Sequence, residues 1–167
     1  MGPSIWSVRR TVDLRTTRTI RSAIEIRAPL ETVWGVLTDF ESYRDWNPHL
    51  RQVRGTPRQG ARLMVISQPP GSRPVALRPR LIVWQPPHEF RWRAKLITRR
   101  LFSGEHGFRL ESHTDGRVRF IHDETFRGLL VPLYARMRLE ATRRGFAAMN
   151  EALRERAEAL PAEHSEP

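Results

Sequence analysis

Ala28-Pro29-Leu30-Glu31-Thr32-Val33-Trp34-Gly35-Val36-Leu37-Thr38-Asp39-Phe40-Glu41-Ser42-Tyr43-Arg44-Asp45-Trp46-Asn47-Pro48 sets helix punctuation beside an aromatic series at fixed spacing. Pro29 suits a first helical position, where its missing N–H costs nothing, and Glu31 favours the positive end of the helix dipole. Val33, Trp34 and Leu37 recur at helical spacing and form one apolar stripe. Thr38 and Asp39 are placed to cap a second short turn, and Phe40, Tyr43 and Trp46 follow at three-residue intervals. Asn47-Pro48 ends the helix and forces an extended exit, because a residue before proline is driven out of the α region. Taken alone, the segment reads as a pair of short helices that pack through an aromatic stripe.

The flanking chain reads as strands. Thr19 to Arg27 alternates, with Ile20, Ser22, Ile24 and Ile26 on one face, as a half-buried strand does. After Pro48 come Leu50 to Arg54, Ala61 to Ser67, Val75 to Trp84 with an edge or bulge at Pro79, and Glu89 to Leu96. Ser103 to Ser112 and Arg117 to Phe126 follow, joined by the hairpin turn Thr114-Asp115-Gly116. From about Pro132 to Leu160 the period becomes helical, with Leu139, Thr142, Phe146, Met149, Leu153 and Leu160 on one stripe. Gly145 inside that helix marks a bend or a close approach, since glycine costs helix stability without a packing return. Alternation demands a sheet with one buried face, and only the long helix is large enough to cover it. A curved sheet gripping one helix leaves a space between them, where a ligand would sit.

Composition bounds the function. The chain has 167 residues, 39% hydrophobic and 28% charged, enough for one domain with a real core. No window approaches the ~18 apolar residues of a membrane span, and the N-terminus lacks an apolar signal core, so a cytoplasmic location is the expectation. The absence of cysteine removes disulfides, thiolate metal sites and a cysteine nucleophile together. A net charge of +11 points toward anionic partners, but only Lys95 among the 29 basic residues is lysine. That skew fits a GC-rich coding sequence better than selection for phosphate contacts, which accept either residue. Specific nucleic-acid binding is not expected. Residues 1–17 read as a basic flexible tail, 18–160 as one domain and 161–167 as a frayed end.

The order of elements, with Ala28-Pro29, Val33-Trp34, Asp39-Phe40, Tyr43 and Trp46-Asn47-Pro48, resembles the START-like SRPBCC superfamily. Within it the match is to the polyketide cyclase/dehydrase and lipid-transport group. Phe90-Arg91-Trp92, Gly104-Glu105-His106, Phe120-x-His122-x-Glu124-x-Phe126 and Gly145-Phe146-x-x-Met149-Asn150 agree with it. The resemblance implies an α+β helix-grip (START/Bet v 1-like) fold. In that fold a curved antiparallel sheet of about seven strands surrounds the C-terminal helix, and two short helices follow the first strand. It also implies an apolar cavity between sheet and helix.

His106, His122 and Glu124 share strand parity with Phe108, Phe120 and Phe126, so an inward face makes them polar groups in an apolar pocket. Such groups need partners when buried. A self-satisfied network, ligand orientation and metal binding are the three readings. The last is the weakest, because two of the three residues lie on one strand and the resemblance supplies no metal. No cofactor is expected. The expected cavity wall comprises Trp34, Phe40, Tyr43, Trp46, Trp92, His106, Phe108, Phe120, His122, Glu124, Phe126, Phe146 and Met149. Phe40, Tyr43 and Trp46 are expected to border one end as a lid. Arg78 and Arg80 flank Pro79 and read as a solvated face or as a seat for an anionic ligand group.

Three functions remain open. The leading one is binding of a hydrophobic small molecule such as a lipid, isoprenoid or polyketide, by a monomer or homodimer. The alternative is a polyketide cyclase or dehydratase in which His106, His122 and Glu124 perform acid/base chemistry beside a ketone. A non-specific anionic-surface or nucleic-acid binder is the third. G-x-S-x-G, H-E-x-x-H, P-loop and G-x-G-x-x-G motifs are all missing.

Overall fold

Two antiparallel sheets and one long helix organise the molecule, seen here in a computed structural model that describes residues 16–96 and 98–160. The larger sheet has the order β1-β8-β7-β6-β5, with β1 at Thr16–Ile26, β5 at Arg80–Gln85, β6 at Glu89–Leu96, β7 at Phe102–Ser112 and β8 at Val118–Gly128. The smaller sheet joins β2 (Leu50–Arg54), β3 (Met64–Ser67) and β4 (Val75–Leu77). Between β1 and β2 lie α1 (Leu30–Thr38), a 3₁₀ turn (Phe40–Ser42) and α2 (Tyr43–Trp46). The long helix α3 covers Val131–Ala159.

Several expectations are refined. Val75 to Trp84 is not one strand: β4 pairs with β3 in the small sheet and β5 with β6 in the large one. The break falls at Pro79, which has no N–H for a ladder; its carbonyl instead accepts the Leu63 N–H at 2.9 Å. The described residues thus form eight strands in two sheets, where about seven in one were expected. Regular pairing in the third strand starts at Met64 rather than Ala61, with only an isolated bridge from Arg62 to Arg80 before it. β1 begins at Thr16, paired with Gly128, so residues 16 and 17 belong to the sheet. Residues 1–15 of the expected tail and 161–167 of the expected frayed end lie outside the described residues.

The helical corner forms as its punctuation suggests, with different caps. Pro29 precedes α1 and its carbonyl accepts the Val33 N–H, while neither Thr38 nor Asp39 caps the second turn through its side chain. Thr38 Oγ1 donates back to Trp34 O at 2.8 Å instead. Asn47 stops α2 and then pins the exit, its Oδ1 accepting the N–H groups of His49 and Leu50 at 3.0 and 2.8 Å. On α3, Thr142, Phe146, Met149 and Leu153 face the sheet, but Leu160 lies past the helix end and is exposed.

The buried interior divides in two. A large cluster joins α1, the middle of the sheet and the C-terminal half of α3, and a smaller one gathers Ile20, Phe126, Val131 and Phe146. On the outer face of the sheet, Arg91 lies across Gly107 and bonds Asp123 through two nitrogens at 3.0 and 2.9 Å and Glu89 at 3.0 Å. Any side chain at residue 107 would occupy the place of that guanidinium. Burial disfavours the Arg91 charge, and the bonds to Asp123 and Glu89 more than offset this.

Candidate functional site

A cavity of about 340 Å³ opens between β3, β4, the last residues of β6, the first of β7, the end of β8 and the first turns of α3. Its walls are mainly apolar, from Leu50, Val65, Leu77, Trp92, Phe102 and Phe126, and polar groups enter from several elements. β7 brings His106, β8 brings Glu124, the turn after α2 brings His49, and α3 brings Tyr134, Arg138 and Thr142. Tyr134, Arg138 and Thr142 recur every fourth residue and so share one helix face.

Behind the wall runs a chain of hydrogen bonds whose directions can be assigned. Asn150 Nδ2 donates to Ser22 Oγ at 3.0 Å, which leaves Asn150 Oδ1 to accept the His122 Nδ1–H at 2.8 Å. His122 Nε2 then holds a lone pair and accepts from His106 Nε2–H at 2.5 Å. This tautomer assignment leaves a lone pair on His106 Nδ1, 3.9 Å from Glu124 Oε2. The separation is too long for a direct hydrogen bond. Phe146 stacks on both rings, on His122 at 3.6 Å between centroids and on His106 at 5.0 Å. The stack and the hydrogen bonds together hold the imidazoles rigid.

Burial sets the charge states. His122 is pushed down to about 3 by burial, against a smaller upward pull from Asn150, and His49 is pushed down to about 4 by burial. His106 lies well below the usual imidazole range, through burial and then its neighbours His122, His49 and Arg91. Glu124 moves the other way, up to about 8, because burial and the nearby Asp123 charge both disfavour its carboxylate. At neutral pH the cavity therefore holds neutral imidazoles beside a largely protonated carboxyl. Gly104 makes room for that carboxyl, since an added Cβ would sit 2.9 Å from Glu124 Oε1. Gly145 does the same for His49, whose ring occupies the place of any side chain there. His49 is 2% exposed, and its Nδ1, packed against Gly145, is left without a hydrogen-bond partner. Tyr134 O–H donates to Thr142 Oγ1 at 2.7 Å, because the Thr142 hydroxyl proton is committed to Arg138 O at 3.0 Å.

The expected site residues fall into three places. Trp92, His106, Glu124 and Phe126 line the cavity. Phe108, Phe120, His122, Phe146 and Met149 are buried behind its wall. Trp34, Phe40, Tyr43 and Trp46 form a separate aromatic group around α1 and α2 rather than a lid. Tyr43 is fully buried, with its O–H donated to Leu37 O at 2.6 Å, and Phe40 packs on Phe90 at 5.8 Å. The close α1–α2 corner turns that aromatic stripe into the core, where it is consumed by packing. His49, Tyr134 and Arg138 were not singled out from the sequence, and Thr142 was placed on the helix stripe without a site role. The four-residue spacing on α3 was a readable signal for three of them, whereas a histidine just after a helix stop carries none. Arg78, read as solvated, is exposed and lies at the cavity rim with Lys95. Among the described residues no cluster of His, Asp and Glu is suited to hold a metal ion.

The comparisons agree with this architecture. Residues 17–162 match the model of the family described as polyketide cyclase / dehydrase and lipid transport, and the chain belongs to that family. No curated protein matches it in sequence. Among solved structures, the Zhui aromatase/cyclase from Streptomyces sp. R1128 is 17% identical with a TM-score of 0.70, over 86% of this chain and 94% of that one. A START superfamily protein from Mycobacterium smegmatis is 17% identical with a TM-score of 0.66, over 86% and 99%. Norcoclaurine synthase from Thalictrum flavum is 13% identical with a TM-score of 0.65, over 86% and 95%. At these identities the likeness speaks for the fold alone.

Proposed function

We propose that this protein binds a hydrophobic small molecule carrying at least one ketone or hydroxyl oxygen, seated between the sheet and α3. The observation that carries this reading is the cavity of about 340 Å³ with apolar walls and a few convergent polar groups. The neutral imidazoles and the protonated Glu124 favour an uncharged oxygen at the inner end. Glu124 O–H donates to a ligand oxygen, and the His106 Nδ1 lone pair accepts from a ligand hydroxyl. The test uses 1-aminoanthracene as a fluorescent probe, together with native mass spectrometry of the purified protein. Ala94→Trp, which fills the cavity from β6, should abolish probe binding while leaving the circular dichroism intact. Unchanged binding would place the ligand elsewhere and overturn the reading.

A second reading, a cyclase or dehydratase, is favoured by the juxtaposition of an acid and a base across a 3.9 Å gap. His106 Nδ1 takes a proton from the carbon beside a ketone while Glu124 passes its proton to the ketone oxygen, giving an enol. The enol carbon then attacks a second carbonyl of the same chain, and the protons return as the ring closes. Positioning in the cavity supplies the rest of the rate. Glu124→Gln replaces the carboxyl O–H with an amide N–H donor that cannot transfer a proton. It should retain probe binding and lose turnover on a poly-β-ketone substrate; equal turnover would exclude the role.

A further inference from the structure

The cavity opens at one end of the sheet, where β6 and β8 finish, β7 begins and α3 starts. Three chain segments build that end: 73–80, 95–100 and 127–138. Each carries three basic residues and no acidic one. Among the described residues, the same end holds five of the six exposed large hydrophobic residues, namely Val75, Leu96, Leu129, Leu133 and Met137. Met137 is 70% exposed and Leu133 54%. They lie one turn apart on α3, beside the Tyr134–Arg138 face that lines the cavity.

Hydrogen bonds tie the pieces into one surface. Arg138 Nη2 donates to Arg73 O at 3.1 Å, and the N–H groups of Leu129 and Leu130 donate to Arg100 O and Leu101 O, both at 3.1 Å. The acidic groups close by are already engaged or turned away. Glu105 pairs with Arg93 at 2.7 Å on the outer face of the sheet, Glu140 sits 3.6 Å from Arg143, and Glu124 is inside the cavity. The opposite end is mixed in sign, with Asp115 on Arg117 and Glu25 beside Arg119 and His113.

We propose that this cavity-mouth end docks on an anionic phospholipid surface, with Leu129, Leu133 and Met137 entering the headgroup layer and the surrounding arginines holding lipid phosphates. Aliphatic side chains ringed by arginine match such a surface on both counts: apolar burial and attraction to negative headgroups. Arginine also lays its stem along apolar material while its guanidinium stays at the polar boundary. A nucleic acid would use the charge but has no partner for exposed leucine and methionine, and among the described residues the exposed large hydrophobics include no aromatic ring for base stacking. Docking in this pose turns the mouth of the cavity toward the lipid. The proposal stands on the surface alone and does not depend on which molecule the cavity holds.

Co-sedimentation of the full chain with vesicles tests it, using phosphatidylcholine alone and phosphatidylcholine with about three-tenths phosphatidylglycerol, at ~50 and ~150 mM salt. Wild-type protein should sediment with the anionic vesicles at both salts and with neutral ones little. Arg99→Glu/Arg100→Glu should bind the anionic vesicles at least ~10-fold more weakly. Leu133→Ser/Met137→Ser should lose a similar factor at ~150 mM salt, where charge attraction is screened and apolar insertion matters most. Both variants should keep the wild-type melting curve and bind 1-aminoanthracene as well as wild type in vesicle-free solution, which separates this surface from the cavity. Equal binding to neutral and anionic vesicles would overturn the proposal, as would full binding by the Leu133→Ser/Met137→Ser variant. No vesicle binding at all would overturn it too, and would turn the surface toward an acidic protein instead.

Discussion

The two ends of the interior are built from the same material and do opposite things. Near α1, aromatic rings from helix and sheet close completely: Phe90 and Phe108 stack at 4.4 Å, Phe40 meets Phe90 at 5.8 Å, and Tyr43 is sealed inside. Toward α3's first turns, β6, β7 and β8 continue with Trp92, His106 and Glu124, and there the packing opens into a cavity. Shape and polarity both change along shared strands. Two glycines mark the change, since Gly104 admits the Glu124 carboxyl and Gly145 admits the His49 ring. One end stores stability and the other leaves an open cavity.

The contrast can be broken from either side. Phe90→Ala at the closed end should cost the most, about 3–5 kcal/mol, because a ring in contact with five other aromatic residues leaves a cavity that cannot collapse. Chemical denaturation measures it. Gly145→Val should cost about 1–3 kcal/mol by displacing His49, and it should alter probe binding as well, which Phe90→Ala should spare in the protein that remains folded. Tyr43→Phe leaves the Leu37 carbonyl without its buried donor and should cost about 1–3 kcal/mol with no effect on the cavity.

The finest test is pH. Glu124 is raised in the folded protein to about 8 from an ordinary 4.5, so the native state holds its proton more tightly than the unfolded chain. Stability from this group is complete below about 4.5 and is lost as pH rises toward 8. His49 and His122 are lowered, to about 4 and about 3, so their contribution is complete above 6.5 and is lost as pH falls through that range. Wild-type stability should therefore peak near neutrality or slightly below. Glu124→Gln should flatten the alkaline side of that peak and steepen the acid side between about 4.5 and 6.5, where the Glu124 and histidine contributions oppose each other. An unchanged alkaline slope in Glu124→Gln would show that this carboxyl is ionised in the folded state.

Much of the frame was legible in single residues. The helix stop at Asn47-Pro48, the hairpin at Asp115-Gly116 and the long helical period after Pro132 are local signals with local causes. The strand parity of Phe120, His122 and Glu124 correctly put them on one inward face, because side chains on a strand alternate with a period of two. The division at Pro79 was visible as an interruption. Its consequence, two sheets instead of one, was not, because which strand a segment pairs with depends on partners far away in the chain.

Sequence by itself determined the order of elements, the inward set on each strand and the family to which the chain belongs. These follow from periodicity and punctuation, which act over a few residues. Only the tertiary structure decided which aromatic rings pack and which border empty space, since that depends on how far α3 stands from the sheet. It also placed His49 against Gly145, turned Glu124 into a largely apolar cavity, and gathered arginines from three distant segments around exposed leucines. Burial, charge state and surface pattern are properties of neighbours in space, and a linear chain does not specify them one residue at a time.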